Sequence, residues 1–187
     1  EMDKETFIHP EILKYLNEAK KIIVEKHNGL FLHLLEDFED RVKIFGTHFA
    51  TLDIRQDSRV HQGIIDDILT KKSGLEIEKI SEEEKLKWLL NTDLVLDPND
   101  FEGITKDTLE NINNIKNIQK RNGERGMSRY IISNSDHIKE VLNVFALFKL
   151  CGYQEEEINI DIVPLFETME GLDAGEKSRF ITQLEVE

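Results

Sequence analysis

Two short segments place charged side chains directly after apolar, strand-like residues. Residues 52–57 read LDIRQD, and residues 164–168 read PLFET. In parallel βα folds, the loops at the carboxyl ends of the strands face the ligand. Arg55 can bind a phosphate or a carboxylate through two hydrogen bonds from its planar guanidinium. The first segment therefore predicts an anion-binding arginine. The alternative is that Arg55 pairs with Asp53 or Asp57 and only fastens the end of the strand.

Glu167 supplies the carboxylate of the second segment. Because it follows an apolar run, we expect this carboxylate to be partly desolvated and to need a metal ion, an arginine or a proton. Mg²⁺ commonly takes one or two carboxylates together with substrate oxygens. Glu167 is therefore a candidate metal ligand. The alternatives are a cap on the following helix and a salt bridge to Arg55 without any ligand.

The two segments support each other, because both candidate residues end strands. Neighbouring strands lie about 5 Å apart, so Arg55 and Glu167 can face one pocket even with another strand between them. An arginine and a metal-binding carboxylate in one pocket suit an anionic, oxygen-rich substrate.

The remaining chemistry-bearing residues give weaker signals. The six histidines include no pair with metal-ligand spacing. His61 lies four residues after Asp57, so a hydrogen bond that orients this carboxylate is one option, whereas His48 is expected inside the first strand. The single cysteine, Cys151, excludes an internal disulfide and a cysteine-based zinc site. The sequence contains no GxGxxG, P-loop or GxSxG motif.

Strands alternate with helices along the chain, which indicates βα units and parallel pairing. Residues rich in β-branched and aromatic side chains predict three strands, at 47–54, 130–133 and 158–166. Pro164 is acceptable near the end of the third strand because proline cannot donate within a sheet. Residues 1–42 are predicted to form helices, and residues 43–187 to form three βα units.

Apolar spacing together with cap and stop residues predicts the helices. Pro10 and Gly29 suit the beginning and the end of the first helix. A further helix is expected from about Asp173. The candidate N-terminal caps in between are, in chain order, Asp57 or Ser58, Ser81 within a capping box, Thr105 and Ser135.

Composition excludes several classes of protein. The chain has 187 residues, and its 24 Lys and Arg against 38 Asp and Glu give a formal net charge of −14. This charge, without any basic cluster, argues against nucleic-acid binding. No apolar run has the length of a membrane-spanning helix. One cysteine and no visible secretory leader predict a cytoplasmic protein. Both ends have the character of an interrupted sequence, so we expect a segment of a longer protein.

In order and spacing, these motifs resemble the bacterial-type phosphoenolpyruvate carboxylase family. The similarity covers the chain from about Val42 to its C-terminus. It rests on four features: Phe45-Gly46; LDIRQ at 52–56 with His61 after it; YIIS at 130–133 before a helix; and PLFET at 164–168 with Leu172 after it.

The resemblance implies a fold. The family is a mostly α-helical enzyme built around an eight-stranded β-barrel; it is several times longer than this chain and assembles as a tetramer. The expected fold class is therefore α/β and helix-dominated. It would be a partial TIM-like barrel of about three parallel strands with many helices, an internal fragment of the larger enzyme.

The resemblance also implies an activity. The family joins bicarbonate to phosphoenolpyruvate and gives oxaloacetate and phosphate, with Mg²⁺ or Mn²⁺ as the cofactor. Bicarbonate attacks the phosphoryl group, which gives carboxyphosphate and an enolate, and the enolate captures the released CO₂. By motif, Glu167 corresponds to one of two metal-ligand carboxylates. Arg55 corresponds to one of the catalytic arginines that bind the substrate phosphate.

The chain departs from the family pattern in two places. Asp57 stands where the motif continues with Glu, and residues 134–137 (NSDH) stand where Met-Ala and a Pro are usual. The family's catalytic His, its second metal carboxylate and its Gly-Arg-Gly-Gly loop are not in these 187 residues, which are therefore expected to be inactive alone. Two other interpretations stay open. One is a different metal-dependent barrel enzyme that acts on a pyruvate-like enolate. The other is a non-catalytic, acidic helical interaction domain.

Overall fold

A computed structural model describes residues 9–46 and 48–167 of the chain, together with Leu172. Helices dominate this part of the chain. None of its helices is long and apolar enough to cross a membrane. The helices are α1 (His9–His27), α2 (Leu32–Phe45), α3 (Ser58–Lys72), α4 (Glu82–Asn91), α5 (Gly103–Asn122) and α6 (Ile138–Leu150). The strands are β1 (Asp53–Asp57), β2 (Arg129–Ser133) and β3 (Asp161–Pro164).

The three strands form one parallel sheet in the order β1-β2-β3. Helices α3, α4 and α5 lie in the connection from β1 to β2, and α6 lies in the connection from β2 to β3. Arg55 in β1 is opposite Ile131 in β2, which is opposite Val163 in β3. The predicted helix-dominated α/β organisation with parallel strands is therefore confirmed.

The first strand begins later than predicted. The prediction placed it at 47–54, but residues 48–50 form a turn, in which the Ala50 N–H donates to the His48 carbonyl at 2.8 Å. Phe49 has φ 67° there, which is incompatible with an extended strand. His48 is therefore a turn residue and not a strand residue. Five of the six residues of LDIRQD, Asp53–Asp57, form the strand instead, because pairing with β2 outweighs the β-propensity of the residues before them.

The third strand is shorter than its prediction of 158–166. It ends at Pro164, where a strand tolerates proline. The Leu165 N–H still donates to the Ile132 carbonyl at 2.8 Å, so the backbone stays beside β2 for one more residue. This continuation carries the chain towards Glu167 along the same edge of the sheet.

Helix capping follows the sequence at two helices and differs at two others. Asp57 caps α3, and Ser81 and Glu84 form the capping box of α4, as predicted. Helix α5 begins at Gly103, two residues before the predicted cap Thr105. Helix α6 is capped at His137, whose N–H donates to the Glu140 carboxylate at 2.6 Å.

The predicted cap of α6, Ser135, is fully buried and donates to the same Glu140 carboxylate at 3.4 Å. Its place inside the protein, three residues before the first turn of α6, explains why it does not act as a cap. The final helix predicted from about Asp173 lies outside the described residues.

The chain divides into two compact units, of which the first comprises Glu1–Leu52 and Asn117–Met127. In this unit α1 packs on α2. Lys20 lies 2.7 Å from Glu36 and 3.7 Å from Glu39. Leu16 and Val42 are buried between the helices.

The other side of α2 carries an exposed apolar stripe. Leu34, Phe38 and Phe45 are spaced by four and seven residues, so they share one face of α2, and Phe31 directly precedes this helix. All four are more than 40% exposed. The Phe45 ring also stacks on Phe49, with 5.8 Å between the ring centroids. An exposed apolar surface of this kind is typical of a protein contact surface.

The second unit comprises Asp53–Lys116 and Ser128–Glu187 and contains the sheet. Helix α6 packs against α3, α4 and β3, and α3 packs against β1. Tyr130 and Ile132 of β2 point into this core, and the Tyr130 ring meets Phe148 of α6 edge to face. The predicted apolar faces of α3 and α5 are buried as expected. The core residues of these two helices are Ile64, Ile65, Ile68, Leu69, Leu109, Ile112 and Ile115.

Strand alternation places a charged set on the opposite face of the sheet. Asp53 and Arg55 of β1, Arg129 of β2 and Asp161 of β3 are exposed there. Among the described residues of this unit, helices therefore cover one face of the sheet and leave the face that carries Arg55 open.

Strands β1 and β3 are the two edges of the sheet within the described residues. Unpaired edge N–H and C=O groups promote pairing with another chain. We therefore expect the isolated 187-residue chain to self-associate. Light scattering should give a mass above the 21.8 kDa of one chain, and this mass should fall on dilution.

The β3 edge offers a variant for this experiment. Asp161 and Leu165 donate their N–H groups towards β2, so the intervening Ile162 N–H points away from it. Ile162→Pro removes that outward donor without removing a bond to β2 and should weaken the association. A monomer at every concentration would contradict this prediction.

Candidate functional site

Arg55 and Glu167 meet at the carboxyl end of the sheet. The Arg55 Nη2 donates to the Glu167 Oε1 at 2.9 Å. Arg55 lies in β1, and Glu167 follows the last residue of β3, Pro164, by three positions. Their side chains are 59% and 41% exposed. The structure thus brings together the two site residues predicted from sequence, although β2 lies between the strands that position them.

The structure also bears on the alternative partners of Arg55 and on the exposure of Glu167. Arg55 pairs with Glu167 rather than with Asp53, which lies 3.7 Å from Arg129, or with Asp57. The Glu167 side chain is 41% exposed, so it is more accessible than the half-buried apolar run before it, and its partial desolvation stays a prediction. The apolar run before it is half-buried at the end of β3, but the chain then leaves the sheet. The ion pair of Glu167 with Arg55 is expected both for a shared ligand site and for the salt-bridge alternative.

Asp57, two residues after Arg55, is held by four hydrogen bonds. Its Oδ1 accepts from the backbone N–H and from the Nε of Arg59, both at 2.9 Å. Its Oδ2 accepts from the Arg59 Nη2 at 2.7 Å and from the Asn134 Nδ2 at 2.6 Å. These donors, Arg59 above all, hold the pKa of Asp57 far below its usual range. Both oxygens are therefore engaged within the protein.

Asn134 connects the loop after β2 to the end of β1. Its side-chain amide donates a hydrogen bond to Asp57, and its backbone carbonyl accepts one from the Ser58 Oγ at 2.6 Å. Asn134 has φ 52°, a left-handed conformation that Asn adopts more readily than most residues. In the sequence, Asn134 stands out only as part of a departure from the family pattern, which gives no indication of its partner. An Asn directly after a strand is the one local signal for such a turn.

His61 does not orient Asp57 in the structure. Its Nε2 lies 2.9 Å from the Tyr130 hydroxyl, and the ring is fully buried. Its Nδ1 has no hydrogen-bond partner among the described residues. Burial lowers the pKa of His61 to about 4, although the negative charge of Asp57 opposes this shift. His61 is therefore a neutral core residue that connects α3 to β2.

Buried neutral His61 predicts a loss of stability in acid. The unfolded chain binds a proton at His61 near pH 6.5, whereas the folded protein binds it only near pH 4. The stabilisation is thus complete above pH 6.5 and is lost as the pH falls from there towards 4. The loss should reach about 3 kcal/mol. Urea unfolding of His61→Gln should lack this part of the acid dependence.

Carboxylates also contribute to acid unfolding, so the comparison needs a second histidine. His33 is exposed on α2, and His33→Gln should keep the full acid dependence of the original chain. If the His61 and His33 variants showed the same dependence, the buried-histidine explanation would be wrong.

Glu167 and Asp57 are the carboxylates at this end of the sheet that a divalent cation could contact. No three His, Cys, Asp or Glu side chains within the described residues lie close enough together to hold a metal ion. Mg²⁺, however, often takes one or two carboxylates and completes its shell with water and substrate oxygens. The exposed Glu167 fits that role. Asp57 does not, because a cation would have to displace the donors that already occupy both of its oxygens.

Comparison with known proteins identifies the family. A family model described as Phosphoenolpyruvate carboxylase matches residues 3–184, which extends the similarity into the N-terminal helices. A phosphoenolpyruvate carboxylase of Prochlorococcus marinus (strain MIT 9312) is 38% identical over 142 residues, which are 71% of this chain and 14% of that protein. One of Gloeobacter violaceus is 29% identical over 181 residues, 87% of this chain and 19% of that protein.

A third relative, the phosphoenolpyruvate carboxylase of Nitrosomonas europaea, is 30% identical over 149 residues, 74% of this chain and 16% of that protein. The chain thus spans less than a fifth of the length of these curated relatives. The family match nevertheless covers almost all of it. This chain belongs to the phosphoenolpyruvate carboxylase family.

Proposed function

We propose that this chain forms part of the catalytic barrel of a phosphoenolpyruvate carboxylase. The whole enzyme would join bicarbonate to phosphoenolpyruvate and release oxaloacetate and phosphate. The observation that carries the proposal is the contact of Arg55 with Glu167 at the carboxyl ends of parallel strands. Ligands of parallel βα folds bind at this end of the strands.

The open face of the sheet supports a barrel. In a β/α barrel, helices cover the outer face of the strands and the inner face is turned to the barrel axis. Here helices cover the face of Tyr130 and Ile132, while Arg55 and its neighbours lie on the uncovered face. We infer that the three strands belong to an eight-stranded, TIM-like barrel. The whole enzyme would be cytoplasmic and a homotetramer, as the family resemblance implies.

In this proposal Arg55 binds the phosphate of phosphoenolpyruvate through its guanidinium. Glu167 holds Mg²⁺ or Mn²⁺ with a hard, anionic oxygen. A cation bound there supplies a Lewis acid that stabilises negative charge on substrate oxygens.

The ion pair between the two residues suggests how the site accepts both ligands. With a cation bound, Glu167 would hold it in place of the guanidinium, and Arg55 would be free to contact the substrate phosphate. Each residue keeps an oppositely charged partner before and after binding. Neither is left with an uncompensated charge, which would be costly in a closed site.

The proposal is tested by assaying two proteins with phosphoenolpyruvate, bicarbonate and Mg²⁺. A full-length carboxylase that contains this sequence should form oxaloacetate, detected by coupled reduction to malate. The 187-residue chain alone should form none above background, because it spans less than a fifth of its relatives. Turnover by the isolated chain would overturn the view that it supplies only part of the site. A full-length protein without carboxylation would overturn the function itself.

A further inference from the structure

We propose that Asn134 is a positioning residue that sets the distance between Arg55 and Glu167. The proposal rests on the proposed function, since it assigns Asn134 a role in the same site. Asn134 would not touch the substrate or the cation. It would act by connecting the ends of β1 and β3, which carry Arg55 and Glu167.

The first half of the connection joins the β2 loop to β1. The Asn134 Nδ2 donates to the Asp57 Oδ2 at 2.6 Å, and the Ser58 Oγ donates to the Asn134 carbonyl at 2.6 Å. Asp57 is the last residue of β1, and Arg55 precedes it by two positions. The position of Asn134 is therefore coupled to that of Arg55 through a short piece of strand.

The second half joins the same loop to the chain after β3. The N–H of Ser135, the next residue, donates to the Leu165 carbonyl at 3.4 Å. The Leu165 N–H in turn donates to the Ile132 carbonyl of β2 at 2.8 Å. Glu167 follows Leu165 by two positions. The loop after the central strand thus contacts both neighbours, and the Arg55–Glu167 ion pair closes the ring.

The side chain of Asn134 is the specific element of this ring. The bond between Ser135 and Leu165 is made by the backbone, so it does not depend on side-chain identity. The hydrogen bond from the Ser58 Oγ requires only the backbone carbonyl of residue 134. The side-chain amide of Asn134 is the donor that holds the loop to Asp57, and Arg59 donates to both oxygens of the same carboxylate.

Asn134→Gly tests the role of this amide in the full-length carboxylase. Glycine accepts the φ of 52° and keeps the carbonyl for Ser58, so the change removes only the side chain. The Mg²⁺ concentration for half-maximal rate should rise by roughly 2- to 30-fold, the range expected for a residue that acts on a site only through intervening contacts. The kcat at saturating Mg²⁺ should be largely retained, because Arg55 and Glu167 are still present.

A matched control is Asn28→Gly. Asn28 also has a left-handed backbone, with φ 51°, but lies in the turn between α1 and α2. This variant should leave both the Mg²⁺ dependence and kcat unchanged. As a second test at the site, Asn134→Asp keeps the size of the side chain but removes the donor. It should weaken Mg²⁺ activation at least as much as Asn134→Gly.

A third variant, Glu167→Gln, separates the positioning role of Asn134 from the proposed metal-binding role of Glu167. If it impairs Mg²⁺ activation but both Asn134 variants behave like the Asn28 control, the positioning role is wrong and the site stands. If Asn134→Gly lowers only the urea midpoint and leaves the Mg²⁺ dependence unchanged, Asn134 is a structural link and the proposal is again wrong. If Glu167→Gln has a normal Mg²⁺ requirement, the site itself is wrong, and the positioning role fails with it.

Discussion

Replacing Glu167 by glutamine in the full-length carboxylase should lower turnover by about 100-fold or more. Glutamine keeps the shape of the side chain but loses the negative charge that a hard cation needs. Removing one group that stabilises charge in a transition state commonly costs a factor of about 100 to 1,000 in kcat. The Mg²⁺ concentration for half-maximal rate should rise in parallel, because the same oxygen is proposed to hold the cation.

The measurement is a Mg²⁺ titration of initial rates on folded variants, with circular dichroism to establish the folded fraction. Glu157→Gln is a matched control. Glu157 is also exposed and also pairs with a cation, the Lys116 Nζ at 2.8 Å. Its loss should leave the titration unchanged. A Glu167 variant with normal turnover and normal Mg²⁺ dependence would reduce Glu167 to a salt-bridge partner of Arg55.

The sheet could be predicted from sequence in its order and direction but not in its exact limits. Apolar, β-branched residues identified three strands, and intervening helices implied parallel pairing. The first strand nevertheless lies at Asp53–Asp57 rather than at 47–54. The choice between these two segments depends on which of them pairs with Arg129–Ser133, and pairing between distant residues leaves little trace in local propensity.

The two central site residues were predictable because each lies in a recognisable motif expected near the end of a strand, although Arg55 is the middle residue of β1 and Glu167 lies three residues after β3. Their contact was expected from the geometry of parallel strands, and the 2.9 Å ion pair realises it. The exposure of Glu167 was not predictable in the same way. An apolar run predicts burial of its own side chains, but not whether other parts of a protein cover the polar residue that follows.

The network around Asp57 shows a second limit of sequence analysis. Asp57 and Asn134 were each recognised as departures from the family pattern, but 76 residues separate them and nothing local connects them. In the structure they contact each other at 2.6 Å. The shorter aspartate side chain and the neighbouring asparagine amide form one unit. Similarly, the His61–Tyr130 bond depends on the packing of α3 on the sheet.

Arg55→Lys should weaken substrate binding although it conserves the charge. Lysine replaces a planar guanidinium, which can give two parallel hydrogen bonds to a phosphate, by a compact ammonium on a flexible chain. Losing one hydrogen bond to a charged group costs about 1.5 to 3 kcal/mol, which corresponds to a roughly 10- to 100-fold higher KM for phosphoenolpyruvate. Turnover should fall as well if the phosphate is misplaced.

The same substitution elsewhere in the sheet provides the comparison for Arg55. Arg129 lies on the same face, is similarly exposed and also has a carboxylate neighbour, Asp53 at 3.7 Å. Arg129 is the first residue of β2, however, so it lies at the amino ends of the strands, opposite to the proposed site at their carboxyl ends. Arg129→Lys should therefore leave the KM for phosphoenolpyruvate unchanged. Equal KM values for the two lysine variants would mean that Arg55 only stabilises the sheet through its salt bridge to Glu167. The phosphate would then bind elsewhere.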